Sequence, residues 1–220
     1  HVVFYRTQHD AIINHLVAHE CGHILRMFGV PEEKRLIPAK PKDPRAMLQE
    51  IEGDLNRISK LIPMQELVRV AGMWTDGLVR QLTNYPPDIM IEKWLYDSYP
   101  DLRPYQLQSL ERQNQQALKG ISKKVQTITP TKIYNSANIM NYVFFNLIGS
   151  HIKADLARPY RNTPFSKKGK QLMQLTEKDY VNSYEGDRSM IDRWAEFLGL
   201  SKWYSWVGFE DVPQDYLNSV

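Results

Sequence analysis

The stretch NHLVAHECGHILRMF, residues 14–28, constrains this chain more than any other. An α-helix advances about 100° per residue, so side chains four apart project side by side, one turn apart. His19 and His23 stand in that relation, and Glu20 directly follows the first. Ile12, Leu16, His19, Glu20, His23 and Met27 fall along one side of such a helix. Ile13, Val17, Cys21, Ile24, Leu25 and Phe28 fall along another. Apolar residues on both sides predict a buried, central helix over residues 8–28, ending at Gly29 and Pro31. Cys21, turned from the histidines, reads as a small core residue. Glycine inside a helix costs roughly 1 kcal/mol relative to alanine, so Gly22 implies that another element packs closely there.

Two imidazoles in this geometry can hold one tetrahedral zinc ion. A charged Glu20 in a buried helix is costly unless compensated, and zinc with its water would compensate it. Zinc lowers the pKa of a bound water to about 7, and a neighbouring carboxylate can then act as general base. The bland alternative is a pair of core histidines with satisfied hydrogen bonds. A catalytic zinc needs a third protein ligand and an open position. Glu92, in PPDIMIEKWLYD, is the leading candidate, because its same-side neighbours are Asp88, Ile89, Leu95 and Tyr96 and a carboxylate in an apolar stripe wants a partner. Asp88 can be the ligand instead, or can orient a histidine from behind. Glu50 is the rival, but it lies beside Glu52 and Asp54 on what reads as a solvated face. His15 reads as a helix-surface residue near the rim. His1 and His9 show no partner pattern, and His151, Tyr134 and Tyr142 are candidate transition-state donors that sequence cannot place.

The remaining helices follow from periodicity and punctuation. HVVFYRT at residues 1–7 is a short strand candidate. Residues 31–45 hold Pro31, Pro38, Pro41 and Pro44 and read as an exposed loop. Helices are expected over 44–61, 63–82, 86–99 and 104–119, the last polar, Gln-rich and exposed. An apolar helix centres on Met140–Ile148, two more follow, and the aromatic tail KWYSWVGFEDVP packs back on the body. The expected class is mainly α (α+β). Residues 1–100 would form a core interrupted by an insertion at about 30–84, and residues 101–220 a helical part packed on it.

Composition excludes little and points to a globular protein. Apolar residues are 42% and charged residues 24%. With 28 basic and 25 acidic side chains, the net charge of +3 is too balanced to argue for nucleic acid or a membrane surface. Arg158, Arg161, Lys167, Lys168 and Lys170 form a local basic run that reads as a solvated loop. One cysteine allows no internal disulfide and suits a reducing, cytoplasmic compartment. No apolar run approaches the roughly 20 residues that span a bilayer. HVVFYR lacks a signal-peptide pattern and an initiating Met, which suits a piece of something longer. No Gly-rich phosphate loop and no GxSxG is present.

With its H-E-C-G-H helix and the short strand before it, the segment 1–28 resembles the zincin metallopeptidases, most of all the ImmA/IrrE-like family. The resemblance implies a zincin-like fold with one Zn2+ held by His19, His23 and Glu92, and Glu20 as general base. It implies a peptidase whose substrate is a protein, such as a transcriptional regulator. If Glu92 is the ligand, residues 30–84 are a large insertion relative to compact members. The other expectation is a catalytically silent, zinc-stabilised module that acts through protein–protein interaction.

Overall fold

The computed structural model describes residues 11–41 and 43–212. The strand expected at 1–7, with His1 and His9, lies outside the described residues. Within them the chain forms α1 (Ile13–Phe28), β1 (Leu36–Ala39), α2 (Arg45–Gln49), α3 (Glu52–Ile58) and α4 (Met64–Ser98). There follow α5 (Arg103–Lys119), α6 (Lys123–Ile128), α7 (Thr131–Ile152), α8 (Ser166–Asp179), α9 (Tyr184–Leu198) and β2 (Ser205–Gly208). The class is mainly helical with a two-stranded antiparallel sheet. No helix among the described residues is long and apolar enough to cross a membrane.

α7 is innermost because its sequence is apolar around most of its circumference. Met140, Val143, Phe144, Phe145 and Ile148 are essentially inaccessible. α4 lies along it through Leu78, Leu82, Tyr85 and Ile89, and the Tyr85 ring stacks on Phe144 with centroids 4.4 Å apart. α8 and α9 cover another side with Leu172, Met190, Ile191 and Trp194. α1 packs on α4 and α5. The close approach implied by Gly22 is to α4: a Cβ there would sit 2.6 Å from Cγ2 of Ile91.

Three local expectations are corrected. Residues 64–98 form one helix of 35 residues, not two, and run straight through Pro86 and Pro87. Each proline removes a backbone donor and crowds the carbonyl four residues back. Burial of Leu82, Tyr85, Pro86, Pro87 and Ile89 against the core outweighs that local penalty. The helix expected over 44–61 is instead two, α2 and α3, separated at Glu50 and Ile51. Ile51 leaves helical geometry (φ −118°, ψ 3°) and is fully buried. The proline-rich loop contains β1, which pairs Leu36 with Gly208 and Ala39 with Ser205. Pro38 is tolerated because, among the described residues, β1 pairs on one side only.

The aromatic tail does pack back, and Trp203 is completely buried. A side-chain clamp fixes α1 against the start of α9. Arg26 donates from Nε and Nη2 to the two oxygens of Asp187, both at 2.6 Å, and from Nη1 to Asn182. Tyr180 also donates its hydroxyl to Asp187 at 2.6 Å, and burial together with that carboxylate keeps the phenol protonated. Removing one partner of a buried pair strands the other charge. Asp187→Ala is therefore expected to lower unfolding free energy by about 3 kcal/mol, read from urea denaturation. A loss well under 1 kcal/mol would mean that the clamp does not hold α1.

Candidate metal centre

Two stripes of side chains meet between α1 and the C-terminal half of α4. From α1 come His15, His19 and His23, each four residues after the last. From α4 come Asp88 and Glu92, also one turn apart. Near-parallel helical rows of this kind bring side chains into register.

Both carboxylate oxygens of Glu92 have hydrogen-bond partners. His19 Nδ1 lies 2.8 Å from Oε1, and His15 Nε2 lies 3.1 Å from Oε2. Gln106, on α5 and wholly buried, donates to the same Oε2 at 2.5 Å and to the Glu92 carbonyl at 2.8 Å. Burial pushes the Glu92 carboxyl up, but the hydrogen bonds and charges of His15 and His19 hold it at about 2.

Around Asp88 the arrangement differs. Its Oδ1 lies 3.2 Å from His19 Nε2 and 2.9 Å from His23 Nε2. The two Nε2 atoms are 3.2 Å apart. Yet Asp88 Oδ1 is buried and makes no well-formed hydrogen bond. Three donor atoms thus face one another with edges of 2.9–3.2 Å. A tetrahedral zinc about 2.0–2.1 Å from its ligands sets them roughly 3.3–3.4 Å apart. The donor set of two imidazoles and one carboxylate, with a buried oxygen that lacks a well-formed hydrogen bond, fits a metal ion.

A second group, His15, His19 and Glu92, also meets the distance requirement for a metal. Its Glu92 oxygens are already occupied by N–H groups, including that of Gln106, which ligates nothing. Glu92 is thus placed to hold His19 Nδ1–H and turn Nε2 toward Asp88 and His23. The buried group of His, Asp and Glu can bind a metal ion.

The other named residues fall as follows. Glu20 is exposed beside His19, with no hydrogen bond or ion pair among the described residues, and not buried as expected. Cys21 is exposed, which corrects its core assignment. α1 is therefore buried on one face only. Glu50 is far from the histidines in its bonding: its Oε2 accepts from Lys132 at 2.5 Å and from the Trp203 indole at 3.0 Å. His151 meets Asp97 at 2.9 Å, and Tyr134 donates to the Ile121 carbonyl. The Tyr142 ring lies against Gly169. None of these three joins the cluster.

His15 and Gln106 are the members that sequence reasoning missed. His15 read as a surface residue, but it is only 2% exposed. Gln106 sat in a helix read as exposed; in fact its Gln106 and Asn114 point inward. A signal for His15 was present, because its spacing to His19 repeats that of His19 to His23.

No protein-family model, no curated protein and no solved structure matches this chain.

The cluster gives the metal-free chain a distinct pH profile. Burial disfavours a charged His19, but Asp88 and Glu92 outweigh it and hold the imidazole well above 6.5. Asp88 is likewise pushed up by burial and pulled lower by His19 and His23, for a net fall. Stability from Glu92 is complete above its unfolded value of 4.5 and is lost as pH falls toward about 2. Stability from protonated His19 is complete below 6.5 and is lost as pH rises through its higher folded value. In chelator, the melting temperature should therefore peak between these two unfolded values and fall on the alkaline side. Added zinc should reverse the alkaline fall and do little at acid pH, because ligation needs neutral imidazole. Equal zinc shifts at pH about 5 and about 8 would contradict histidine ligation.

Proposed function

We propose that the chain is a zinc-dependent hydrolase acting on a peptide bond in a protein substrate. The observation that carries this reading is the convergence of His19 Nε2, His23 Nε2 and Asp88 Oδ1, a buried oxygen with no well-formed hydrogen bond, beside an exposed Glu20. His19, His23 and Asp88 would hold the ion, so the carboxylate ligand is Asp88 and Glu92 stands behind His19. A zinc ion bound there would supply Lewis acidity and bring the pKa of a water near neutrality.

The chain's own residues divide the rest of the work. Glu92, held by His15 and Gln106, fixes the tautomer and orientation of His19. Glu20 accepts the proton of the attacking water and delivers it to the departing amine nitrogen. Its exposure suits that role, since a proton carrier must reach both water and substrate. The side chain of His23 is 30% exposed and that of His19 17%, so solvent reaches this edge of the cluster. A purely structural zinc site, closed by four protein donors, has no use for such an opening. This supports the hydrolase over the silent, zinc-stabilised binding module. The zincin and ImmA/IrrE-like assignment stays within the same proposal. It rests on the H-E-C-G-H helix, and a transcriptional regulator as substrate follows from that resemblance.

The test is metal content followed by activity. Chain purified without added metal should carry about one zinc ion, measured by atomic emission. Asp88→Ala should lose it, whereas Glu92→Gln should weaken affinity by about 10–100-fold. Retention by Asp88→Ala together with complete loss in Glu92→Ala would transfer the ligand role to Glu92. Glu20→Gln should keep the metal and lower turnover of a generic protein substrate by at least about 100-fold. Unchanged turnover in that variant sinks the general-base assignment.

A further inference from the structure

A cleft of about 870 Å³ opens between α2–α3 and the N-terminal half of α4, bounded at one end by β1 and Trp203. It is separate from the His–Asp–Glu cluster: none of the cluster residues lines it, and Arg80, its lining residue nearest to Asp88 along α4, precedes Asp88 by eight residues, about 12 Å along the axis. Its floor is Met47 and Leu67, both buried. Its rim is apolar too: Leu48 is 40% exposed, Met64 62% and Val68 68%. Ligand clefts are typically about 300–1,000 Å³ and mostly apolar, with few polar groups to fix orientation.

The charges in the lining are three. Lys40 and Asp76 neutralise each other at 2.9 Å. Arg80 is exposed and has no ion pair among the described residues. The hydroxyl of Thr75 is turned onto the Ala71 and Gly72 carbonyls of its own helix and offers the cleft little. Asn56 and Ser59 also line it, with the Ser59 hydroxyl turned onto the Asn56 carbonyl. The lining therefore presents a mostly apolar trough with one cation at its end that is unmatched among the described residues. Along α4 it runs from Met64 to Arg80, about 24 Å.

We infer that this cleft binds a long-chain carboxylate of the fatty-acid type, with its carboxylate on Arg80 and its alkyl chain running back along α4 past Val79 and Ala71 toward Val68. Charge complementarity selects this occupant: one anionic end and an apolar body match one unpaired cation and a mostly apolar lining. A guanidinium–carboxylate contact is charge-assisted and stronger than a neutral one. The inference does not depend on the metal reading, and its test needs no zinc.

The experiment is calorimetric titration of the full chain with dodecanoate below its micellar concentration, in chelator, with dodecanol as the uncharged comparison. One saturable site per chain is expected. Arg80→Gln should weaken dodecanoate about tenfold and leave dodecanol unchanged. Val68→Asp, at a largely exposed position, should weaken both while circular dichroism shows the fold intact. Absence of saturable dodecanoate binding to the folded parent chain overturns the proposal. So does binding that neither substitution alters, which would place the site elsewhere. If an amphipathic helical peptide of about sixteen residues binds competitively with Val68→Asp sensitivity while dodecanoate does not bind, the cleft receives a protein helix and the inference is wrong.

Discussion

The contact between two rows of side chains, His15–His19–His23 on α1 and Asp88–Glu92 on α4, is the interaction on which the site depends. Two carboxylates buried between helices are costly without partners, because low-dielectric surroundings penalise uncompensated charge. Three imidazoles and the amide of Gln106 compensate them. The compensation is uneven. Glu92 is saturated with N–H donors, and Asp88 keeps one buried oxygen without a hydrogen bond. That asymmetry separates a carboxylate that supports a histidine from one that is free to ligate.

The rest of the architecture serves to keep those rows in register. α4 carries both carboxylates only because it continues through Pro86 and Pro87, and its packing on α7 is what allows this. A break at the prolines would have freed the Asp88 turn from the long helix. α1 is held at two levels: Gly22 lets Ile91 approach, and Arg26 is clamped to Asp187 three residues beyond His23. Tyr184, at the start of α9, bonds both the backbone N–H and carbonyl of Leu36 through its hydroxyl. The small sheet and α1 are thus anchored to neighbouring residues of one element.

Much of the site was legible because helix periodicity is local. His19 and His23 belong together whatever the rest of the chain does, and so do Asp88 and Glu92. The approach of one pair to the other was less legible, as was the choice between the carboxylates. It needed the positions of His15 and Gln106, whose inward faces sit in segments that read as polar. The burial of α1 was overestimated: alternating apolar residues on two sides suggested enclosure, yet Glu20, Cys21 and Leu25 face solvent among the described residues. Hydrophobicity marks which residues gain by burial, but only neighbours can supply it.

The sequence by itself determined that this chain is mainly helical, that an apolar helix centres on Met140–Ile148, and that His19 and His23 share a face. These follow from spacing along a single helix, about 3.6 residues per turn, and require no partner. Tertiary structure decided that α4 is unbroken, that β1 finds its partner some 170 residues away in β2, and that Glu50 bonds Lys132 and Trp203 rather than the histidines. It also decided which oxygen of which carboxylate faces two imidazoles at once. Those outcomes depend on packing energies summed over distant segments, and no local pattern encodes them.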